Sequence, residues 1–106
     1  MAKEDFKVTN NRKKNAKNQQ IVLEGDLGIF NSPKIVKKLK RLKIDAEEVT
    51  LSTKNVDGFD LSSVQTLIAI QKQVVENKGK LNFDIDLPDD KVKLLETTGF
   101  QFLLNK

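Results

Sequence analysis

The side chains best suited to chemistry are Asp60, Ser62 and Ser63, within the stretch Asn55 to Leu67, which reads Asn-Val-Asp-Gly-Phe-Asp-Leu-Ser-Ser-Val-Gln-Thr-Leu. An aspartate in this setting accepts hydrogen bonds from the first free amides of a following helix, which puts both hydroxyls in that helix's first turn. Gly58 supplies the backbone freedom that a tight strand exit often needs. A phosphate or other anion is favoured at such a place, because unpaired amides and the positive end of the helix dipole face it. A phosphoserine there would add roughly 1.5 to 2 negative charges and three acceptor oxygens beside Asp60, and near Asp57, turning the surface acidic. The plainer reading is that Ser62 and Ser63 only help to cap the helix.

Other chemistries find little support. The chain contains neither histidine nor cysteine, which removes the commonest general base, the usual zinc ligands and all thiol chemistry. The carboxylate pairs Asp57 with Asp60, Asp84 with Asp86, and Asp89 with Asp90 fall on turns or exposed faces, and no Gly-rich nucleotide loop occurs. We expect no enzyme, no metal and no cofactor. The net charge of +4 raises nucleic acid as a partner, so the placement of the cations matters. They gather at Lys3, Lys7, Arg12, Lys13, Lys14 and Lys17, and again at Lys34, Lys37, Lys38, Lys40, Arg41 and Lys43. Tyrosine and tryptophan are absent, which leaves a poor platform for base stacking, so these runs read as solvated faces and nucleic-acid binding is not expected.

Around the Asp60 stretch, hydropathy outlines the elements that must hold it. Phe6 to Thr9 and Gln20 to Leu27 read as two strands, joined by a basic, surface-exposed loop from Asn10 to Asn18. Asn31-Ser32-Pro33 is a helix start, with Ser32 as N-cap and Pro33 in the first helical position. That helix runs to about Leu42, with Ile35, Val36, Leu39 and Leu42 on one face and lysines on the other. It could meet anionic lipid, but it lacks the large aromatics usual for insertion. Val49 to Thr53 forms a strand, Asn55 to Phe59 a turn, and a second, longer helix runs from Leu61 to a stop at Asn77-Lys78-Gly79. Leu81 to Leu87 alternates, placing Leu81, Phe83, Ile85 and Leu87 on a buried side. Pro88-Asp89-Asp90 opens a third helix closed by Gly99, and Phe100 to Leu104 suggests a last short strand.

Strands alternating with helices imply a mixed, mostly parallel sheet behind an N-terminal β-hairpin, with about three helices in one α/β domain spanning residues 1–106. No apolar run approaches the roughly 20 residues of a membrane helix, and no apolar signal segment opens the chain. The expectation is a cytoplasmic protein without membrane insertion.

At this level the chain resembles a STAS domain, the family of anti-sigma factor antagonists and of the cytoplasmic tails of sulfate transporters. Leu23-Glu24-Gly25-Asp26-Leu27 resembles the family's early strand ending in Gly-Glu-Leu, and Asn31 to Leu42 resembles its first helix. Val56 to Leu67 resembles its strand, acidic turn and serine-bearing helix start. Lys78-Gly79-Lys80-Leu81, with the strand and helix that follow to Thr98-Gly99-Phe100, resembles its ending. In phosphorylated members the turn commonly reads Asp-Ser-Ser-Gly, and the second serine is modified by a partner kinase. Aligning on Asp60 puts Ser62 at that position, with Leu61 in place of the first serine and Ser63 in place of the glycine. Gly28 stands where many members carry an aspartate.

The resemblance implies a non-catalytic regulatory module whose partner-facing surface comprises Asp26, Gly28, Asp57, Asp60, Leu61, Ser62, Ser63 and Gln65. Ser62 would be the phosphorylation site, with Ser63 as a second candidate. Its partner would be an anti-sigma-type serine kinase or a related ATPase, with a phosphatase to reset the switch. The alternatives are a constitutive subunit of a membrane-associated, lipid-type transport ATPase, and nucleic-acid binding through the basic segments.

Overall fold

In the computed structural model, which describes residues 5–12 and 17–99, the chain doubles back at once. β1 (Phe6–Asn11) lies antiparallel on β2 (Asn18–Asp26), and helices and strands then alternate through α1 (Ser32–Arg41), β3 (Glu48–Gly58), α2 (Leu61–Glu76), β4 (Lys80–Ile85) and α3 (Asp89–Thr98). The strands stand in the order β1-β2-β3-β4, and β2, β3 and β4 are parallel. This is the expected mixed α/β sheet with its hairpin and three helices. Right-handed crossovers on successive parallel strands carry α1 and α2 to the same face, where they touch.

Cross-strand rows follow the alternation. Asn10, Ile21, Leu51 and Phe83 form one row, and Val8, Leu23, Thr53 and Ile85 the next. Ile35 and Leu39 of α1, Val64, Leu67, Ile70 and Val74 of α2, and Leu95 of α3 close over this face and are buried. On the reverse face, Asn11, Gln20, Thr50 and Asn82 align, so that side is polar.

Several boundaries differ from the sequence expectation, each for a local reason. β1 and β2 extend into the proposed loop because Asn10 and Asn11 pair with Ile21 and Gln20; residues 13–16 of that loop lie outside the described residues, as does the proposed strand at Phe100 to Leu104. Ser32 is the first helical residue rather than the cap. Asn31 holds the cap position without a capping side-chain bond, because its amide donates to the Asp26 carbonyl instead. β3 continues through the proposed turn at Asn55 to Gly58, since Asn55 takes a left-handed φ of 50° and the register slips between Glu24 and Asp26. Such bulges let a turn-like composition remain in a ladder. At the end of α2 the left-handed residue is Lys78 at φ 63°, not Gly79. The amides of Lys78 and Gly79 return to the carbonyls of Val75 and Val74 in a Schellman arrangement. The inward residues of β4, Leu81, Phe83 and Ile85, are half-buried rather than buried, as befits the outer position of β4 in the described sheet.

Candidate functional site

Parallel pairing of β2 with β3 brings the loops leaving both strands together at their carboxyl ends, where α1 and α2 begin. Ligand and partner sites of open α/β sheets gather at this edge. The β2 loop is anchored to β3 by Leu27, whose amide donates to the Gly58 carbonyl at 2.8 Å and whose side chain is buried. Phe59 is buried beside the start of α2.

Asp60 ties the two loops together. It is the N-cap of α2 and closes a capping box with Ser63. Its Oδ1 accepts from the Ser62 amide at 3.0 Å, the Ser63 amide at 3.3 Å and the Ser62 hydroxyl. Its Oδ2 accepts from the amide of Ile29, across the gap in the other loop, at 2.9 Å. One carboxylate therefore fixes a helix start and a neighbouring turn at once. Partial burial pushes the Asp60 carboxyl up, but the bonds from the Ser62 hydroxyl and from the amides of Ile29, Ser63 and Ser62 outweigh it and hold the group below the ordinary aspartate value.

A second aspartate packs underneath. Asp26 Oδ1 accepts from the Gly28 amide at 2.9 Å. A Cβ at Gly28 would stand 3.1 Å from both Asp26 Oδ1 and Asp60 Oδ2, and one at Gly58 would overlap Asp26 Oδ1. Gly58 is therefore required for this close approach rather than for a left-handed backbone. The glycine at 28 likewise allows two carboxylates to flank the loop.

The two serines have different environments. Ser63 is 2% exposed; its hydroxyl donates to the Leu27 carbonyl and accepts from the Asp60 amide at 3.1 Å. Ser62 is half-buried and lines a groove of about 380 Å³ with Pro33, Val36, Gln65 and Ala69, between the N-terminal ends of the two helices. Asp26, Gly28, Asp60, Ser62 and Ser63 thus come together, and the exposed Leu61 and Gln65 follow the outer side of α2. Asp57 does not join them. It lines a separate hollow with Asn55, Asp86 and Pro88.

Sequence reasoning missed Ile29 and Phe30. They are 63% and 87% exposed, and with Leu61 at 48% they leave apolar side chains standing in solvent around the site. The available clue was an apolar pair caught between Gly28 and a helix start, too short for a strand. A larger depression of about 670 Å³ opens at the opposite end of β1 and β2, walled by Asn10, Asn18, Gln19, Gln20 and Arg12. Its neutral amides offer neither a nucleophile nor a charge switch. Among the described residues, no acidic cluster is suited to hold a metal ion, and no helix is long and apolar enough to cross a membrane.

The fold has a counterpart among solved structures. The chain is similar to a crystal structure of an antisigma-factor antagonist, a STAS domain from Rhodobacter sphaeroides, with a TM-score of 0.63 and 17% identity over 74% of this chain and 85% of that one. No protein-family model matches the sequence, and no curated protein matches it.

Proposed function

We propose that this STAS-like fold serves as a non-catalytic regulatory module in the cytoplasm. It docks a protein partner, an anti-sigma-type serine kinase or related signalling ATPase, through the edge where α1 and α2 begin. The observation that carries this reading is the Ser62 hydroxyl bonded to Asp60, whose other oxygen holds Ile29 beside the exposed Phe30 and Leu61. Asp26, Gly28 and Gln65 shape or flank the same surface, whereas Asp57 stands apart from it in the hollow it shares with Asn55 and Asp86.

In this reading Ser62 is the phosphorylated residue, and a phosphatase resets it. Phosphorylation removes the hydroxyl hydrogen that Ser62 donates to Asp60 and sets roughly 1.5 to 2 negative charges against that carboxylate. Repulsion then loosens the tie to Ile29 and makes an apolar docking surface acidic, so partner binding is lost without refolding of the core. Ser63, sealed against Leu27, contributes to the loop junction.

The test is phosphoserine mapping after incubation with ATP and a cognate anti-sigma-type serine kinase, together with partner affinities of Ser62→Ala and Ser62→Asp. Modification at Ser62 and weaker binding by Ser62→Asp alone are expected. Equal affinities for both variants would remove the switch.

One feature favours a second reading, a constitutive subunit of a membrane-associated transport ATPase: three exposed apolar residues suit a permanent interface. Co-purification with such an ATPase, unaffected by phosphatase and by Ser62→Asp, would replace the first reading with this one.

A further inference from the structure

The turn before α1 is already helical in its bonding, because the amides of Asn31 and Ser32 both reach the Gly28 carbonyl at 2.9 Å. Helical phase can therefore be counted from α1 back through Phe30. Ile35 and Leu39 are buried and define the inner face of α1. At about 100° per residue, Phe30, Lys34, Lys37 and Arg41 form one line along the opposite, outward face. Lys40 flanks that line.

Charge along α1 and α2 is one-sided. α1 and α2 carry Lys34, Lys37, Lys38, Lys40, Arg41 and Lys72, against Glu76 alone at the far end of α2. Among the described residues, Lys34, Lys37, Lys40 and Arg41 take part in no ion pair. The carboxylates Asp84, Asp86, Asp89 and Asp90 lie on β4, on α3 and between them. At the N-terminal end of the basic line stand Phe30 and Ile29, 87% and 63% exposed, with Leu61 beside them on α2.

We propose that the outward face of α1, with the apolar side chains at its N-terminal end, docks on an anionic phospholipid surface. Phe30 and Ile29 enter the headgroup boundary, and Lys34, Lys37, Lys40 and Arg41 face the anionic headgroups. The sequence argued against lipid contact because α1 holds no large aromatic; Phe30, just ahead of the helix, supplies one. The apolar side chains protrude instead of lining a hollow, which suits a deformable surface. Lysine and arginine stems can lie along that boundary while their charges stay in water. A protein pocket would have to match Phe30 and place carboxylates at separate points over roughly 10 Å of helix. A uniformly anionic surface needs no such register. Each cation near it strengthens partitioning about fivefold. The proposal goes beyond partner docking at Ser62 and can fail independently of it.

The chain has no tryptophan or tyrosine, so Phe30→Trp provides a single indole reporter. The experiment is sedimentation of the full chain with phosphatidylcholine vesicles, with and without phosphatidylglycerol, at low and raised salt. Binding only to the anionic vesicles is expected, with a blue shift of the Phe30→Trp emission. Lys34→Gln with Lys37→Gln should weaken it roughly 25-fold, and raised salt should weaken it further. Absence of binding to the anionic vesicles overturns the proposal. So does binding that leaves the indole emission unshifted and is unchanged in Phe30→Ala, because that is adsorption by charge alone.

Discussion

Removing the Asp60 carboxylate tests the central claim that one side chain caps α2 and holds the neighbouring loop. Alanine at an N-cap costs typically about 1 kcal/mol, within a range of roughly 0.5–2. Asp60→Ala also frees the Ile29 amide, but that contact is exposed, so water replaces most of the bond. We expect a loss of about 1.5 kcal/mol, or roughly 6–12 °C in Tm for a domain of this size. Asparagine caps about as well as aspartate, yet Asp60→Asn must either turn its NH₂ toward the Ile29 amide or lose the oxygen that serves Ser62 and Ser63. A cost of about 0.5 kcal/mol is expected from that conflict. The pH dependence separates charge from shape. Because the folded carboxyl lies below its ordinary value, its contribution is fully present above the unfolded value of about 3.9 and is lost as pH falls through the lower folded value. The advantage of the wild type over Asp60→Asn should therefore shrink in acid. Urea unfolding followed by far-UV circular dichroism measures each quantity, since the chain has no tryptophan to report fluorescence. A cost below about 0.5 kcal/mol for Asp60→Ala, or a wild-type advantage independent of pH, would refute the reasoning.

The remaining predictions concern the same junction. Ser63→Ala should cost about 1–3 kcal/mol, because it strips the buried Leu27 carbonyl and the Asp60 amide of their shared partner. Ser62→Ala, at the groove rim, should cost about 0.5 kcal/mol or less; equal melting temperatures for the two variants would contradict their assigned environments. Gly58→Ala should destabilise by about 1–3 kcal/mol by driving its methyl into Asp26. Combining it with Asp26→Ala should recover part of that loss in a double-mutant cycle, and strict additivity would show that the clash is relieved elsewhere.

The features legible in the sequence were those encoded over a few residues. Asp60 and Ser63 make a cap whose code is their own spacing, and Leu81, Phe83 and Ile85 alternate within one strand. β3 was harder to delimit, because Asn55, Asp57 and Gly58 have the composition of a turn, while the residues that hold them in a ladder lie on β2. The difference between the serines was present but unread. Ser63 shares the helical phase of Leu67, Ile70 and Val74, all buried, so it had to face inward. Ser62 lies one step off that phase.

No such count reaches the bond from Ile29 to Asp60, whose partners are separated by 31 positions in sequence. It exists because the parallel register of β2 on β3 sets two strand exits side by side, and because Gly28 and Gly58 leave room for Asp26 and Asp60 between them. The same closure decides the fate of Ile29 and Phe30. By hydropathy both belong in a core, yet the loop is pinned at Leu27 on one side and at Asn31 on the other. The residues between have no inward direction left to take. Their exposure is a consequence of how the loop is tied, which is why a surface able to bind could form from residues that composition alone assigns to the interior.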